Sequence, residues 1–307
     1  MCSLVLGCLH VSPVPARQIG VAPAPNSTDE PITAVPAAPA VDPRKATLGE
    51  LLFDDPRLSH DNSRSCASCH DLNSNGASRQ PHDIGLDGSV LPLNTLSVFN
   101  AALSFRIGWE GKIRNTEWDV RSSLGNPRIM GSSPAEVALK LGSDPEMRDR
   151  FTAAYGHGPD AENVVDAISS FQRTLITPGA RFDRWLAGDA AALSADELEG
   201  YGLFKSLGCV SCHQGVNVGG NLFQRHGIFH PLASPEPVIL RVPSLRNVAV
   251  TAPYFHDGSA PTLEDAVRKM GRAQLNTSLT DPQVTAIVAF LNSLTGTWRG
   301  KSVGAAP

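Results

Sequence analysis

The 307 residues suffice for two domains of ordinary size, each with a sizeable core. A net charge of −4 without any basic cluster argues against a nucleic-acid binder or a protein drawn to an anionic membrane surface. The six cysteines exclude a disulfide framework: four stand in two C-x-x-C pairs, and the others, Cys2 and Cys8, lie in the first ten residues.

The apolar run Leu4 to Leu9 has no Lys or Arg ahead of it and reads as the tail of a signal sequence whose charged start is missing. Val5-Leu6-Gly7-Cys8 resembles a lipoprotein cleavage box, which would make Cys8 a lipid-modified first residue; the alternative is an incidental apolar run. No later stretch is long and apolar enough to span a bilayer. Residues 11–41, rich in Pro, Ala and Val, read as an extended tether.

Asp42-Pro43 predicts a helix start with an Asp cap and Pro in the first turn, an apolar face of Leu48, Leu51 and Leu52, and an end at Asp54-Asp55-Pro56. From Leu72 to Asn100, and again around Trp109 to Lys112, no period is sustained, and Gly, Asn, Asp, Ser and Pro mark loop. Ser133-Pro134-Ala135-Glu136 reads as a capping box, followed by helices over Asp144 to Tyr155 and Asp160 to Ile176. In the last of these Val164, Ile168, Phe171 and Leu175 share one face. Ser194 to Glu197 is a further capping box, and a Gly- and Pro-rich loop runs on to Pro243. Thr262 to Met270 is expected to be helical and stopped by Gly271. Thr280 caps a final helix with a face of Val284, Ile287, Val288, Leu291 and Leu294.

Between these elements stand Cys66-Ala67-Ser68-Cys69-His70 and Cys209-Val210-Ser211-Cys212-His213. C-x-x-C-H is the attachment signature of a c-type haem: each sulfur adds to a vinyl group and the histidine sits under the iron. A redox dithiol or half a zinc site would also use C-x-x-C. The histidine follows immediately both times, however, with no βαβ pattern around either copy and no further Cys pair nearby. Two covalent haem c groups are expected, and haem attachment outside the bacterial cytoplasmic membrane implies a periplasmic or secreted protein. The halves repeat one another, because Ile168, Phe171 and Leu175 recur at the same offsets as Ile287, Phe290 and Leu294. The expected fold is all-α: two duplicated cytochrome c-like domains with long irregular loops. The boundaries are 1–43 for leader remnant and tether, 44–190 for the N-terminal domain, and 191–307 for the C-terminal domain.

Residues 45–296 resemble the bacterial di-haem cytochrome c peroxidases, which share a fold with MauG. The resemblance rests on Leu48-Gly49-Glu50-Leu51-Leu52-Phe53, on Ser65 to His70, and on Thr174 to Pro178 with Arg181-Phe182-Asp183-Arg184. It rests further on Pro243-Ser244-Leu245-Arg246-Asn247-Val248 and on Thr251 to Gly258. It implies that the second haem has His213 on one face and Met270 on the other, where MauG has a tyrosine. A thioether opposite imidazole raises the reduction potential and suits an electron store. Trp109 matches the tryptophan between the haems. Asn94, Thr251 and Pro253 match positions that hold one calcium ion through oxygens.

The haem on His70 would react with peroxide, and there the sequence departs from the family. Leu86 stands where a distal histidine usually follows Ile-Gly, Asp119 where a Gln is usual, and Ile129 where a Glu moves the proton. His82, Glu117, Asp119 and Arg128 are the candidate substitutes, Arg128 for developing negative charge and a carboxylate for the proton. The implied activity is reduction of hydrogen peroxide with electrons from a small cytochrome c or cupredoxin. The alternatives are MauG-like oxidation of a partner protein, or a non-catalytic electron carrier or sensor. A homodimer is compatible with this reading.

Overall fold

The computed structural model describes residues 29–305. Cys2, Cys8 and the leader and lipid-anchor readings lie outside the described residues. The helices are α1 (Pro43–Phe53), α2 (Thr116–Gly125), α3 (Pro134–Gly142), α4 (Pro145–Tyr155), α5 (Ala161–Thr174), α6 (Arg181–Leu186), α7 (Ala195–Ser206), α8 (Leu263–Leu275) and α9 (Asp281–Asn292). Strands are few: β1 (Phe223–Arg225) pairs antiparallel with β2 (Ile239–Arg241), Gln224 opposite Leu240, and β3 (Thr297–Trp298) pairs with β4 (Lys301–Ser302). The chain is thus mostly helical, as expected.

Most helix starts follow the cap chemistry. Asp42 accepts from Arg44 N, Asp160 and Ser194 form full capping boxes with Asn163 and Glu197, and Thr280 does so with Gln283. The box at Ser133 is half made. Its hydroxyl accepts from Glu136 N, but the Glu136 carboxylate turns away to Lys140 and His60.

Each half is built on one crossed helix pair. In the first, α1 packs on α5, burying Leu48, Leu52, Val164 and Ile168, with Phe53 edge-on to Phe171 at 5.5 Å. In the second, α7 packs on α9 around Tyr201, Phe204, Ile287, Phe290 and Leu294. The crossings share a device that residue offsets alone do not reveal. A Cβ at Gly49 would collide with the carbonyl of Ala167 and the Cβ of Phe171; at Gly200 it would collide with the carbonyl of Ala286 and the Cβ of Phe290. Glycine at the equivalent place in each half lets the backbones touch.

Several expectations need correction. Leu51 is exposed at 41%, and Phe53 takes its place in the core, because the turn of α1 facing α5 carries residues 48, 49, 52 and 53. The tether is not free along its whole length. Ile32 is fully buried against Phe182 and its neighbours, Pro31 O accepts from Gly215 N, and Glu30 binds Tyr201 and Lys205. A short extended segment can bury single side chains, here Ile32 and Val35, without any sustained helical period to announce it. Helix α8 runs past Gly271 to Leu275 and ends on left-handed Asn276 (φ 52°). Gly271 instead makes room for Leu279, whose side chain would meet its Cβ at 2.9 Å. Helices α2 and α6 carry little sequence signal: α2 is short and polar, started by the Asn115 side chain accepting from Trp118 N, and α6 has only six residues.

Candidate active site

Both C-x-x-C-H segments fold into the same tight turn. His70 N donates to Cys66 O at 3.0 Å and His213 N to Cys209 O at 3.0 Å, with 3-10 turns at Cys66–Ser68 and Cys209–Ser211. The four cysteines carry no disulfide. His70 Nδ1 donates to Gly76 O at 3.0 Å, and His213 Nδ1 to Val218 O at 3.2 Å. These bonds fix the tautomer and leave each Nε2 lone pair for a metal. Burial lowers both imidazole pKa values, that of His213 to about 4, so both rings are neutral and able to coordinate at neutral pH.

One continuous cavity of about 770 Å³ joins the two turns. At one end it is lined by His70, Phe99, Thr116, Asp119 and Gln172; at the other by Phe204, Cys209, Cys212 and His213. Helix α8 presents Leu263, Ala266, Val267, Met270, Gly271 and Gln274 to it, one stripe at helical spacing, so the Met270 thioether and the His213 ring face the same space. Trp109 lines the cavity as well. Its indole N–H donates to Asn94 O at 2.7 Å, its own carbonyl accepts from Arg241 N at 2.7 Å, and its ring meets His256 edge-on at 6.1 Å.

The walls are mainly apolar, and buried polar atoms without protein partners remain on lining residues: Gln172 Oε1, His226 Nδ1 and Arg241 Nη1. Thiols in pairs, oriented imidazoles, a thioether and orphaned polar groups around a large apolar space fit two covalently attached haems. Asn94, Thr251 and Pro253 also line this cavity. The Asn94 amide N–H groups reach the carbonyls of Gln80 and Pro81, at 3.0 and 3.3 Å.

The four distal candidates separate. Asp119, on α2, lines the cavity, and its Oδ2 accepts from Gln172 Nε2 at 3.0 Å. Burial raises its carboxyl pKa, against a smaller pull downward from that bond and from His70. Glu117, two residues away, turns to Arg173. Arg128 donates to Ser89 Oγ at 2.8 Å and to Val90 O at 2.6 Å. His82 follows Pro81, which abuts Gly258. None of these three is among the lining residues. Ile129 packs against the first core.

Gln172, Arg241, His226 and His256 escaped the reading of the sequence. Gln172 had a signal: it interrupts the apolar face between Phe171 and Leu175. Arg241, on a three-residue strand, bonds Gly108 and Trp109 more than a hundred residues away, and His226 and His256 sit in loops with no regular period.

Residues 43–191 match the model of the di-haem cytochrome c peroxidase family, and residues 198–295 that of cytochrome c. The chain is 39% identical to the cytochrome c551 peroxidase of Nitrosomonas europaea over 88% of its length and 85% of that protein. It is 33% identical to the methylamine utilization protein MauG of Methylorubrum extorquens, over 75% of this chain and 69% of that one. Among solved structures, a MauG-like protein associated with microbial copper homeostasis superposes with a TM-score of 0.73 at 27% identity, over 87% of this chain and 93% of the other.

Proposed function

We propose a peroxide-reducing role from one premise: the chain belongs to the di-haem cytochrome c peroxidase family. Hydrogen peroxide, two electrons and two protons give two waters, with the electrons drawn from a small cytochrome c or cupredoxin. Cys66, Cys69 and His70 would hold a haem that would supply the peroxide-reactive iron, and Cys209, Cys212, His213 and Met270 would hold one that would serve as electron store. The observation that supports this reading is the single cavity lined at once by His70, Trp109, His213 and Met270.

The chain's own residues do the rest. Gly76 and Val218 hold the two imidazoles in the coordinating tautomer. Trp109, buried and tied to the backbones of Asn94 and Arg241, is a fixed aromatic path between the two ends. Asp119 carries the proton that the family's Glu would carry. Gln172 engages Oδ2, Asp119 lines the cavity, and burial keeps the acid form populated to a higher pH than usual. Oxygens at Asn94, Thr251 and Pro253 bind one calcium ion beside Trp109. Maturation takes place outside the cytoplasmic membrane; among the described residues no helix is long and apolar enough to cross one.

Steady-state consumption of peroxide with a reduced cytochrome donor tests this reading, and a correctly loaded protein that turns over no donor overturns it. Ile129 in place of the family's Glu favours a second reading, MauG-like oxidation of a partner protein. Mass spectrometry of partner proteins after peroxide treatment would reveal it.

A further inference from the structure

Arg241 lines the cavity and is 5% exposed. Its Nε donates to Gly108 O at 2.9 Å, and its backbone N to Trp109 O at 2.7 Å. Its Nη1 is buried and has no partner among the described residues. The only other cationic side chain on the lining, Arg246, is neutralised by Asp183 at 2.8 Å; Arg241 has no such carboxylate among the described residues. Burial alone, with no acidic neighbour to offset it, lowers the guanidinium pKa to about 10.

A buried cation without a counter-charge is strongly unfavourable unless something else supplies one. The surroundings are prepared for an anion. Ser104 Oγ accepts from Asn217 Nδ2 at 2.9 Å, which leaves its own hydrogen free to donate, and Ser104 lines the cavity. Between Ser104 and Arg241 stands Gly220, at φ 78°. A Cβ there would come within 3.0 Å of Ser104 Oγ and 3.4 Å of Arg241 Nη1, so a side chain would occupy the space between the two donors. The next residue back, Gly219, would place a Cβ 3.4 Å from His213 Nδ1, so the Gly219-Gly220 turn has Arg241 on one side and the imidazole on the other.

We propose that Arg241 Nη1 and the Ser104 hydroxyl form a carboxylate site, taken by a propionate of the haem on His213, and that the same residue fixes Trp109 against that haem. The proposal rests on the di-haem reading. Occupied, the site neutralises the buried guanidinium, while the Arg241 backbone and Nε hold Trp109 and Gly108 in register with the bound edge. Arg241 is a positioning residue in this scheme, and its charge also sets the potential of the neighbouring iron.

The test compares the redox titrations of wild type, Arg241→Gln and Arg241→Lys across the acid-to-neutral range, after intact mass has shown two haems. A mass without haem would refute the di-haem reading itself, separately from this proposal. With the site paired, the propionate stays ionised and the potential of the His213 haem is nearly independent of pH. In Arg241→Gln that potential should fall, because a lost positive charge favours the ferric state. It should also fall further as pH rises, because the unpaired propionate now titrates. Arg241→Lys should keep most of the wild-type potential. Unchanged potentials and pH profiles in a fully loaded Arg241→Gln protein overturn the proposal. If that variant does not accumulate with two haems, the propionate-bending bands in resonance Raman spectra of wild type and Arg241→Lys decide. A shifted band supports the contact, and identical bands overturn it.

Discussion

The Arg246 guanidinium meets the Asp183 carboxylate at 2.8 Å, with side chains only 1% and 6% exposed. The two belong to strings about sixty residues apart, Arg181 to Arg184 and Pro243 to Val248, and join α6 to the wall of the cavity. The same pair secures the N-terminal segment: Val35 N donates to Asp183 Oδ1 and Arg246 Nη2 donates to Thr33 O. Asp183→Asn leaves the guanidinium buried and unpaired, and should cost about 3–5 kcal/mol of stability. Replacing both residues with apolar ones of similar volume should recover only the part due to the unpaired charge, because Val35 N and Thr33 O lose their partners. Denaturant unfolding of the single and double variants measures both, and a single variant as stable as wild type would refute the account.

The glycines at the two helix crossings allow a symmetrical experiment. Gly49→Ala should force α1 from α5, and Gly200→Ala should force α7 from α9. Each should destabilise by about 1–3 kcal/mol, the usual cost of overpacking a close contact. If the halves are equivalent in packing as well as in sequence, the two losses will be similar. Thermal unfolding followed by far-ultraviolet circular dichroism is the measurement.

Cap residues and apolar spacing made the long helices legible, and the Ile, Phe and Leu offsets made the duplication legible. Each is a local signal read within a single turn or face. The haem motifs were legible for the same reason, since five consecutive residues carry all their chemistry. What stayed hidden depended on distant partners. Gly49 is an ordinary helix residue until Ala167 lies against it, and Arg241 is an ordinary strand residue until Trp109 and Gly108 accept its hydrogens. Helix α2 was missed because its sequence is polar and shows little apolar periodicity, yet it carries the carboxylate that enters the cavity.

That carboxylate, on Asp119, links stability to activity. Burial raises its pKa above the ordinary value, so the folded state favours the protonated form. The stability this lends is fully present below the unfolded-state pKa and is lost as pH rises through the folded one. Asp119→Asn removes the penalty of an ionised buried group at neutral pH, and should make the protein slightly more stable there and unchanged in acid. In the proposed role of Asp119 the same substitution removes the proton carrier, and it should lower peroxide turnover by about 10²–10⁴-fold. Unfolding at two pH values and steady-state kinetics on one preparation test both halves. A variant that loses stability at neutral pH, or keeps its turnover, would show that Asp119 has another role.

In the proposed di-haem reading, Leu86 bears on the state of the first haem at rest. In the family's usual pattern a histidine at this position caps the iron until the other haem is reduced; leucine has no lone pair to offer. Leu86 is held instead by its backbone, its N–H donating to Arg128 O at 2.7 Å, and its side chain reaches toward Gly131. The nearby alternative, His82, has an unpartnered buried Nδ1 but is absent from the cavity lining, and Pro81 before it abuts Gly258. The Asn94 side chain holds the Gln80 and Pro81 carbonyls just ahead of His82 and so restrains that loop. The first haem should therefore be open, or hold only water, in the fully oxidised protein, and ligands should enter without prior reduction. Electron paramagnetic resonance of the resting protein should show one high-spin signal beside the low-spin signal of the His213 and Met270 haem, and cyanide should bind at one haem per chain. Two low-spin signals at rest, one of them lost in His82→Ala, would instead make His82 a gate that closes over the iron.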